Sequence, residues 1–267
     1  LEAIECLIPR LHKRFPQRSA MEKDFAISYQ GYIGEQQTDH HLKQFPRNFI
    51  ILNDIALKTV SDAFQIDTLI ITSKAIFPIE IKNFEGKVIF DTVLNQFTRD
   101  NNEQLEGFRD PLIQLERIKR LLFQWMQEHG FDPVPIYCFV AISDPRTIIE
   151  AKGDRNLVGH FVSHSEALPV KVIHLYEKLQ DPPPTNWTPL QLGQALKKAH
   201  KPFKKDVLTK YNVKPSNIIP GVICPSCFKI GMKRIYGKWK CFYCHSTSKH
   251  AHKQALKQFF YIFNKNF

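Results

Sequence analysis

The sequence predicts a mixed α/β (α+β) domain followed by a second, small module held by cysteines. Three observations carry this. Strand-length apolar runs, with one strongly periodic helix among them, fill the first 180 residues. Residues 181–189 hold four prolines in nine positions and have no apolar periodicity. Four of the six cysteines then cluster near the end. The expected division is a domain over residues 1–180, a Pro-rich linker and basic helical connector over 181–218, and a small ribbon with a C-terminal helix over 219–267.

Residues 1–30 read as a helical lead-in, with Leu1, Ile4, Leu7, Ile8 and Leu11 at helical spacing and Pro9 as a break. A short helix is expected over 31–45, ended by Pro46. Strands are predicted over 49–57, 65–72, 75–82 and 86–92, each rich in Ile, Leu, Val or Phe. The strongest helix spans 111–129: Asp110 suits the N-cap, Pro111 the first position and Gly130 the stop, while Leu112, Leu115, Ile118, Leu122 and Trp125 recur on one face. Strands follow over 135–142, 157–163 and 170–175, then a helix over 190–200 and a basic connector over 201–214.

The formal net charge is +11, from 37 Lys+Arg against 26 Asp+Glu. It is unevenly placed. Residues 201–267 carry 14 basic side chains and one acid, Asp206, which leaves residues 1–200 at −2. A near-neutral body with a strongly basic tail suits an anionic partner, nucleic acid first, with an acidic protein or an anionic membrane surface behind it. No apolar run reaches the ~18 residues of a membrane span. Residues 1–16 carry charges within the apolar stretch and no small-residue cleavage site, so a secretory signal is not read there. The expected setting is therefore cytoplasmic and reducing, with no disulfide-linked partner. No Gly-rich phosphate loop occurs. His40 and His41 read as a solvated helix face, His160, His164 and His174 lack ligand spacing, and Cys6 and Cys138 read as buried thiols.

Cys224-Pro-Ser-Cys227 and Cys241-Phe-Tyr-Cys244 are separated by 13 residues, a spacing that places four thiolates around one tetrahedral Zn²⁺. Two redox pairs are the other reading of that spacing. Gly231 and Gly237 suit turns between short strands at 232–236 and 238–240. Lys229, Lys233, Arg234, Lys238 and Lys240 alternate with Phe228, Tyr236, Trp239, Phe242 and Tyr243. Cations meet phosphates and exposed rings stack on bases. Equally, so small a module needs aromatics for its own core.

The chemical candidate lies in residues 65–82. If the chain reverses around Ser73 and Lys74, antiparallel partners have numbers summing to 147, which sets Asp67 opposite Glu80 with Lys82 on the same face. Two carboxylates on an apolar hairpin call for a proton or a cation, and hard oxygen ligands suit Mg²⁺ or Mn²⁺. A solvated sheet end with a salt bridge is the plainer reading. Ser-Lys is a poor two-residue turn, and Pro78 asks for an edge position or a bulge.

Gly31-x-x-Gly34-Glu35, then Ile66-Asp67, Glu80-x-Lys82-Asn83, Gly86 and Asp110-Pro111-x-x-Gln114 together resemble the nuclease-related domain (NERD) family. That family is grouped with the restriction-endonuclease-like PD-(D/E)xK enzymes, and the C-terminal segment resembles the zinc ribbon that accompanies this domain in some bacterial members. The resemblance implies Mg²⁺-dependent hydrolysis of DNA phosphodiester bonds. Asp67 and Glu80 would ligate the metal, Lys82 would position the attacking water, Glu35 would assist from its helix, and Gln114 would lie in the helix closing the site. A non-catalytic nucleic-acid-binding scaffold is the alternative. The sequence departs from the pattern at Asp110, where Asn is more usual, and at Pro78.

Overall fold

The computed structural model describes residues 1–101, 104–203 and 206–263; residues 204–205 of the expected connector and 264–267 of the expected ribbon lie outside these. The chain opens with α1 (Glu2–Leu7), a 3₁₀ turn (Ile8–Arg10) and α2 (Arg18–Leu42). Strands β1 (Ile50–Lys58), β2 (Ala63–Ile71), β3 (Ile76–Lys82), β4 (Lys87–Asp91), β5 (Gln96–Asp100) and β6 (Leu105–Phe108) lead to α3 (Pro111–Glu128). Then come β7 (Phe139–Ile142), β8 (Ile148–Lys152), α4 (Arg155–Phe161), β9 (Val162–His164), α5 (Leu168–Lys178) and α6 (Pro189–Ala199). The last part holds α7 (Val207–Lys210), β10 (Val222–Ile223), β11 (Ile230–Ile235), β12 (Lys238–Lys240), β13 (Thr247–Ser248) and α8 (Ala251–Phe263).

Two compact units result: one spans Gln30–Phe203, and the other joins the residues up to Tyr29 with the described residues from Asp206 onward. This grouping differs from the sequence division at 180. Trp187, Leu192 and Leu196 are buried in the same core as Trp125, so the proline-rich stretch and α6 continue the first unit. The Trp187 indole N–H donates to the Asp132 carbonyl at 2.8 Å, fixing that stretch.

In the first unit the main sheet has the order β1-β2-β3-β7-β9. Strands β1 to β3 are antiparallel, and β3, β7 and β9 run parallel. The β2–β3 register pairs Thr68 with Ile79 and Leu69 with Pro78, numbers summing to 147 as expected. Thr72 makes the unfavourable turn workable: its backbone N–H donates to the Ala75 carbonyl at 3.1 Å, and its Oγ1 accepts from the Ala75 N–H at 3.0 Å. Pro78 corrects an expectation, since it sits in the central strand rather than at an edge. The parallel pairing of β3 with the β7 segment runs from a bridge at Ile76 and Ile136 and resumes only at Ile79 and Phe139. The missing proline N–H falls in that gap.

The pleat of β1 and β2 changes phase at one place. Phe64, Ile66, Leu69 and Ile71 all face one core, as do Leu52, Ile55 and Leu57, so strict alternation breaks between 52 and 55 and between 66 and 69. Asp54 and Asp67 are the positions skipped by the ladder there, and Asp54 has φ 53°. On that face the sheet packs against α3 and α6. The opposite face packs Ile70, Phe77 and Phe139 against Leu42, Phe45, Leu168 and Val172.

Other elements differ from expectation. The later part of the lead-in, from Arg18, and the short helix near residue 31 merge into the single 25-residue α2. Residues expected as strands at 157–163 and 170–175 are mostly helical, in α4 and α5, with only the short β9 extended. Asp154 caps α4 by accepting from the Leu157 N–H at 3.0 Å. Pro169 stands in the first turn of α5, whose Leu168 and Val172 are buried one turn apart. Strands β5 and β6 were not expected; with β4 and β8 they form a second sheet ordered β6-β5-β4-β8.

The second unit packs Leu7, Leu11 and Met21 with Val207, Tyr211 and Ile262. Arg10 is buried and donates to Gln258 Oε1 through Nε at 3.0 Å, and to the carbonyls of Ile219 and Gly221, each at 3.1 Å. The ribbon sheet has the order β10-β11-β12-β13.

Candidate active site and metal-binding ribbon

The β2–β3 ladder ends at Thr68 and Ile79, and a side chain takes over the next hydrogen bond: the Ile81 N–H donates to Asp67 Oδ2 at 2.8 Å. The phase shift at Asp67 thus removes its carboxylate from the core alternation and turns it to the end of β3. Asp67 and Glu80 both line one cleft of about 780 Å³ with Gln65, Arg109, Gln114 and Arg117. Burial first, and then the Glu80 charge, push the Asp67 carboxyl up to about 7. Lys82 Nζ holds Glu80 Oε1 at 2.7 Å. The expected register holds as far as Thr68 and Ile79; beyond it Asp67 is not a ladder partner of Glu80 but shares the cleft with it, and Glu80 is buried rather than at a solvated sheet end.

Glu35 is not among the residues lining the cleft. Partial burial raises its carboxyl above the usual range, and the charges of Asp54, Asp39 and Glu80 add to this. Its neighbour Gly34 explains the helix's approach. A Cβ there would lie 2.6 Å from Asn83 Cβ and 2.8 Å from Ser143 Oγ, so α2 touches the ends of β3 and β7 only because residue 34 has no side chain. Gly31, by contrast, has nothing within 4 Å. Gly86 has φ 86° and backs onto the Asp100 carbonyl, where a Cβ would stand 2.8 Å away.

Helix α3 closes the cleft from the other side. Asp110 accepts from the Leu112 N–H at 2.7 Å, so it caps the helix in the role expected of it. Gln114 projects one turn later, and its Oε1 is buried with no hydrogen-bond partner among the described residues. Arg109 and Arg117 also reach the cleft and were not singled out from sequence. Helical spacing from Gln114 places Arg117 on the same side, and Arg109 directly precedes the capping residue, so both had a readable signal.

A hard divalent ion fits this donor set. Asp67 Oδ1 and Glu80 Oε2 are left by the Ile81 and Lys82 contacts, and the unpartnered Gln114 carbonyl is a further oxygen facing the same space.

In the ribbon, one sulfur from each of Cys224, Cys227, Cys241 and Cys244 lies within 4.8 Å of all the others. Two of the separations, Cys224 to Cys244 and Cys227 to Cys241, are 3.6 Å. Sulfurs about 2.3 Å from a common tetrahedral ion lie roughly 3.8 Å apart. The four cysteines can thus hold one metal ion. The two knuckles repeat each other: the Cys224 N–H donates to the Lys229 carbonyl and the Cys241 N–H to the Ser246 carbonyl, both at 2.9 Å. Phe228 and His245, each just after a knuckle, have φ 59° and 58°. The fourfold cysteine set leaves His245 with no ligand role.

The ribbon's own core is Val222, Cys224, Met232, Cys241 and Ala251, with Trp239 partly buried against it. Phe228, Tyr236, Phe242 and Tyr243 are exposed, so these four are not core residues. Cations lie over the rings: Lys229 is 4.5 Å from the Tyr243 centroid, Lys233 5.6 Å from Phe242 and Arg234 5.7 Å from Trp239. Lys233 pairs across the hairpin with Lys240, and Lys238 with Ile235.

Residues 30–143 match the model of one family, the nuclease-related domain, which is the family the sequence motifs resemble. The matched segment contains Glu35, Asp67, Glu80, Lys82, Arg109 and Gln114. No curated protein and no solved structure matches the chain. No helix among the described residues is long and apolar enough to cross a membrane.

Proposed function

We propose that the chain is a metal-dependent nuclease that hydrolyses phosphodiester bonds of DNA, with a Cys₄ zinc ribbon that contributes nucleic-acid binding. The observation that carries this reading is the Asp67–Glu80 pair at the cleft, beside Lys82 and the unpartnered Gln114 carbonyl. Asp67 and Glu80 would hold Mg²⁺ or Mn²⁺, which when bound supplies Lewis acidity toward the phosphate and lowers the pKa of a coordinated water. Lys82, released from Glu80, directs its ammonium to the attacking water or the developing charge. The Gln114 carbonyl would be a further oxygen for the ion, and Glu35, outside the cleft lining but coupled by charge to Glu80, would assist from its helix.

The proton on Asp67 sets a condition. A carboxyl that titrates near 7 must lose its proton before it can serve as a ligand, so metal affinity rises with pH through that range. The ribbon is the proposed electrostatic grip, with Lys229, Lys233, Arg234, Lys238 and Lys240 meeting phosphates and the exposed rings of Phe242 and Tyr243 available for stacking on bases.

The test is cleavage of single- and double-stranded DNA with Mg²⁺, Mn²⁺ or chelator, comparing the wild-type chain with Glu80→Ala. Cleavage that needs the metal and falls to the chelated background in Glu80→Ala is expected. Cleavage undiminished in Glu80→Ala removes the assignment. Tight DNA binding by a wild type that cuts nothing favours the nuclease-like domain as a scaffold.

A further inference from the structure

Among the described residues, two cations line the cleft, Arg109 and Arg117, and a third, Lys82, is held against the lining Glu80; the three differ in what they already contact. Lys82 is bound to Glu80 at 2.7 Å. Arg117 is bound to Asp62 at 2.6 Å and to the Ala63 carbonyl at 2.9 Å. Arg109 lines the same cleft, is exposed, and makes no hydrogen bond or ion pair with any described residue. Its backbone is nonetheless well held. On one side the Phe108 ring packs edge-on to Phe84 at 4.8 Å, and on the other Asp110 caps α3 and Pro111 fixes the first helical φ.

An uncommitted guanidinium on a fixed backbone, lining the same cleft as two carboxylates, has a specific use. Asp67 and Glu80 repel the phosphates of an incoming strand. A planar fork that can grip two non-bridging oxygens at once offsets this and also sets the orientation of the strand. We propose that Arg109 is the phosphate-binding arginine of the cleft, clamping a backbone phosphate of the substrate strand next to the bond over Asp67 and Glu80. This rests on the nuclease reading for its substrate class, and it adds a contact that the carboxylate–lysine set does not provide.

The test separates the two. In the full chain carrying Glu80→Ala, so that DNA stays intact, equilibrium binding of a short duplex and of its single strand is measured across a salt series. Arg109→Ala should weaken binding about tenfold at moderate salt, as expected for one lost charged hydrogen-bonding pair, and should reduce the log–log salt slope by about one. Arg109→Lys should restore the slope but not the full affinity, because the fork is lost. Arg155→Ala, which removes the same charge from the start of α4 outside the cleft, reports the effect of net charge alone. Equal losses in Arg109→Ala and Arg155→Ala, or full affinity in Arg109→Lys, overturn the proposal. The cleavage comparison of wild type with Glu80→Ala reports on the nuclease reading independently, since the binding measurement involves no cutting.

Discussion

Gly31 and Gly34 lie one turn apart on α2 and invite opposite outcomes from the same substitution. Alanine is favoured over glycine in a helix interior by about 1 kcal/mol. At Gly31 a Cβ meets nothing within 4 Å, so Gly31→Ala should deliver that gain. At Gly34 the new Cβ would sit 2.6 Å from Asn83 Cβ, which is anchored to backbone at the end of β3, and 2.8 Å from Ser143 Oγ, which can rotate away. Overpacking of this kind costs typically 1–3 kcal/mol, and the contact with a fixed Cβ points to about the upper figure. The net expectation for Gly34→Ala is a loss of about 1–2 kcal/mol after the helical gain is subtracted. For a unit of this size 1 kcal/mol moves Tm by roughly 2–4 °C, so the two variants should diverge in a thermal melt followed by circular dichroism. Because Glu35 follows Gly34, metal-dependent cleavage should also fall in Gly34→Ala and stay at wild-type level in Gly31→Ala. Equal shifts in the same direction for both variants would refute the close packing of α2 on β3 and β7.

Two further outcomes follow from the same geometry. Folding raises the Asp67 carboxyl from the ordinary range to about 7, so the folded state binds the proton more tightly than the unfolded chain, and stability should fall as pH rises from about 4 to 7; Asp67→Asn should flatten that decline in urea melts at stepped pH, and an unchanged slope would remove the buried pair. Chelation, or Cys241→Ser, should unfold the ribbon, read as lost near-ultraviolet ellipticity of Trp239 and as about one zinc released per chain; Trp239 signals that persist without metal would count against a metal-held module.

The neighbourhood of the carboxylates was legible because hairpin register is arithmetic: once Ser73 and Lys74 are placed at the reversal, Thr68 pairs with Ile79, and Asp67 and Glu80 come to the same end of the hairpin. The cysteine spacing was legible for a similar reason, since two knuckles leave few ways to arrange four sulfurs. What escaped the sequence is tertiary. Val170, Val172 and Ile173 favour a strand by side-chain type, but burial of Leu168 and Val172 against Phe139 and Ala141 rewards a helix, and Pro169 was the local signal for its start. The phase shift at Asp54 and Asp67 left no compositional trace, and neither did Arg109's lack of a partner. Pro78 argued for an edge strand, yet the sheet accommodates it centrally by leaving a gap in the pairing with β7.

The second unit's core is built from both ends of the chain, which has a consequence for synthesis. Leu7, Leu11 and Met21 leave the ribosome well before Val207, Tyr211 and Ile262, which bury them and follow some 200 residues later. The first unit can close while these apolar side chains still wait in solvent, and Arg10 likewise waits for Gln258. The order of translation is therefore the reverse of the order in which the N-terminal helix can become stable, and the period of exposure grows with every pause in between.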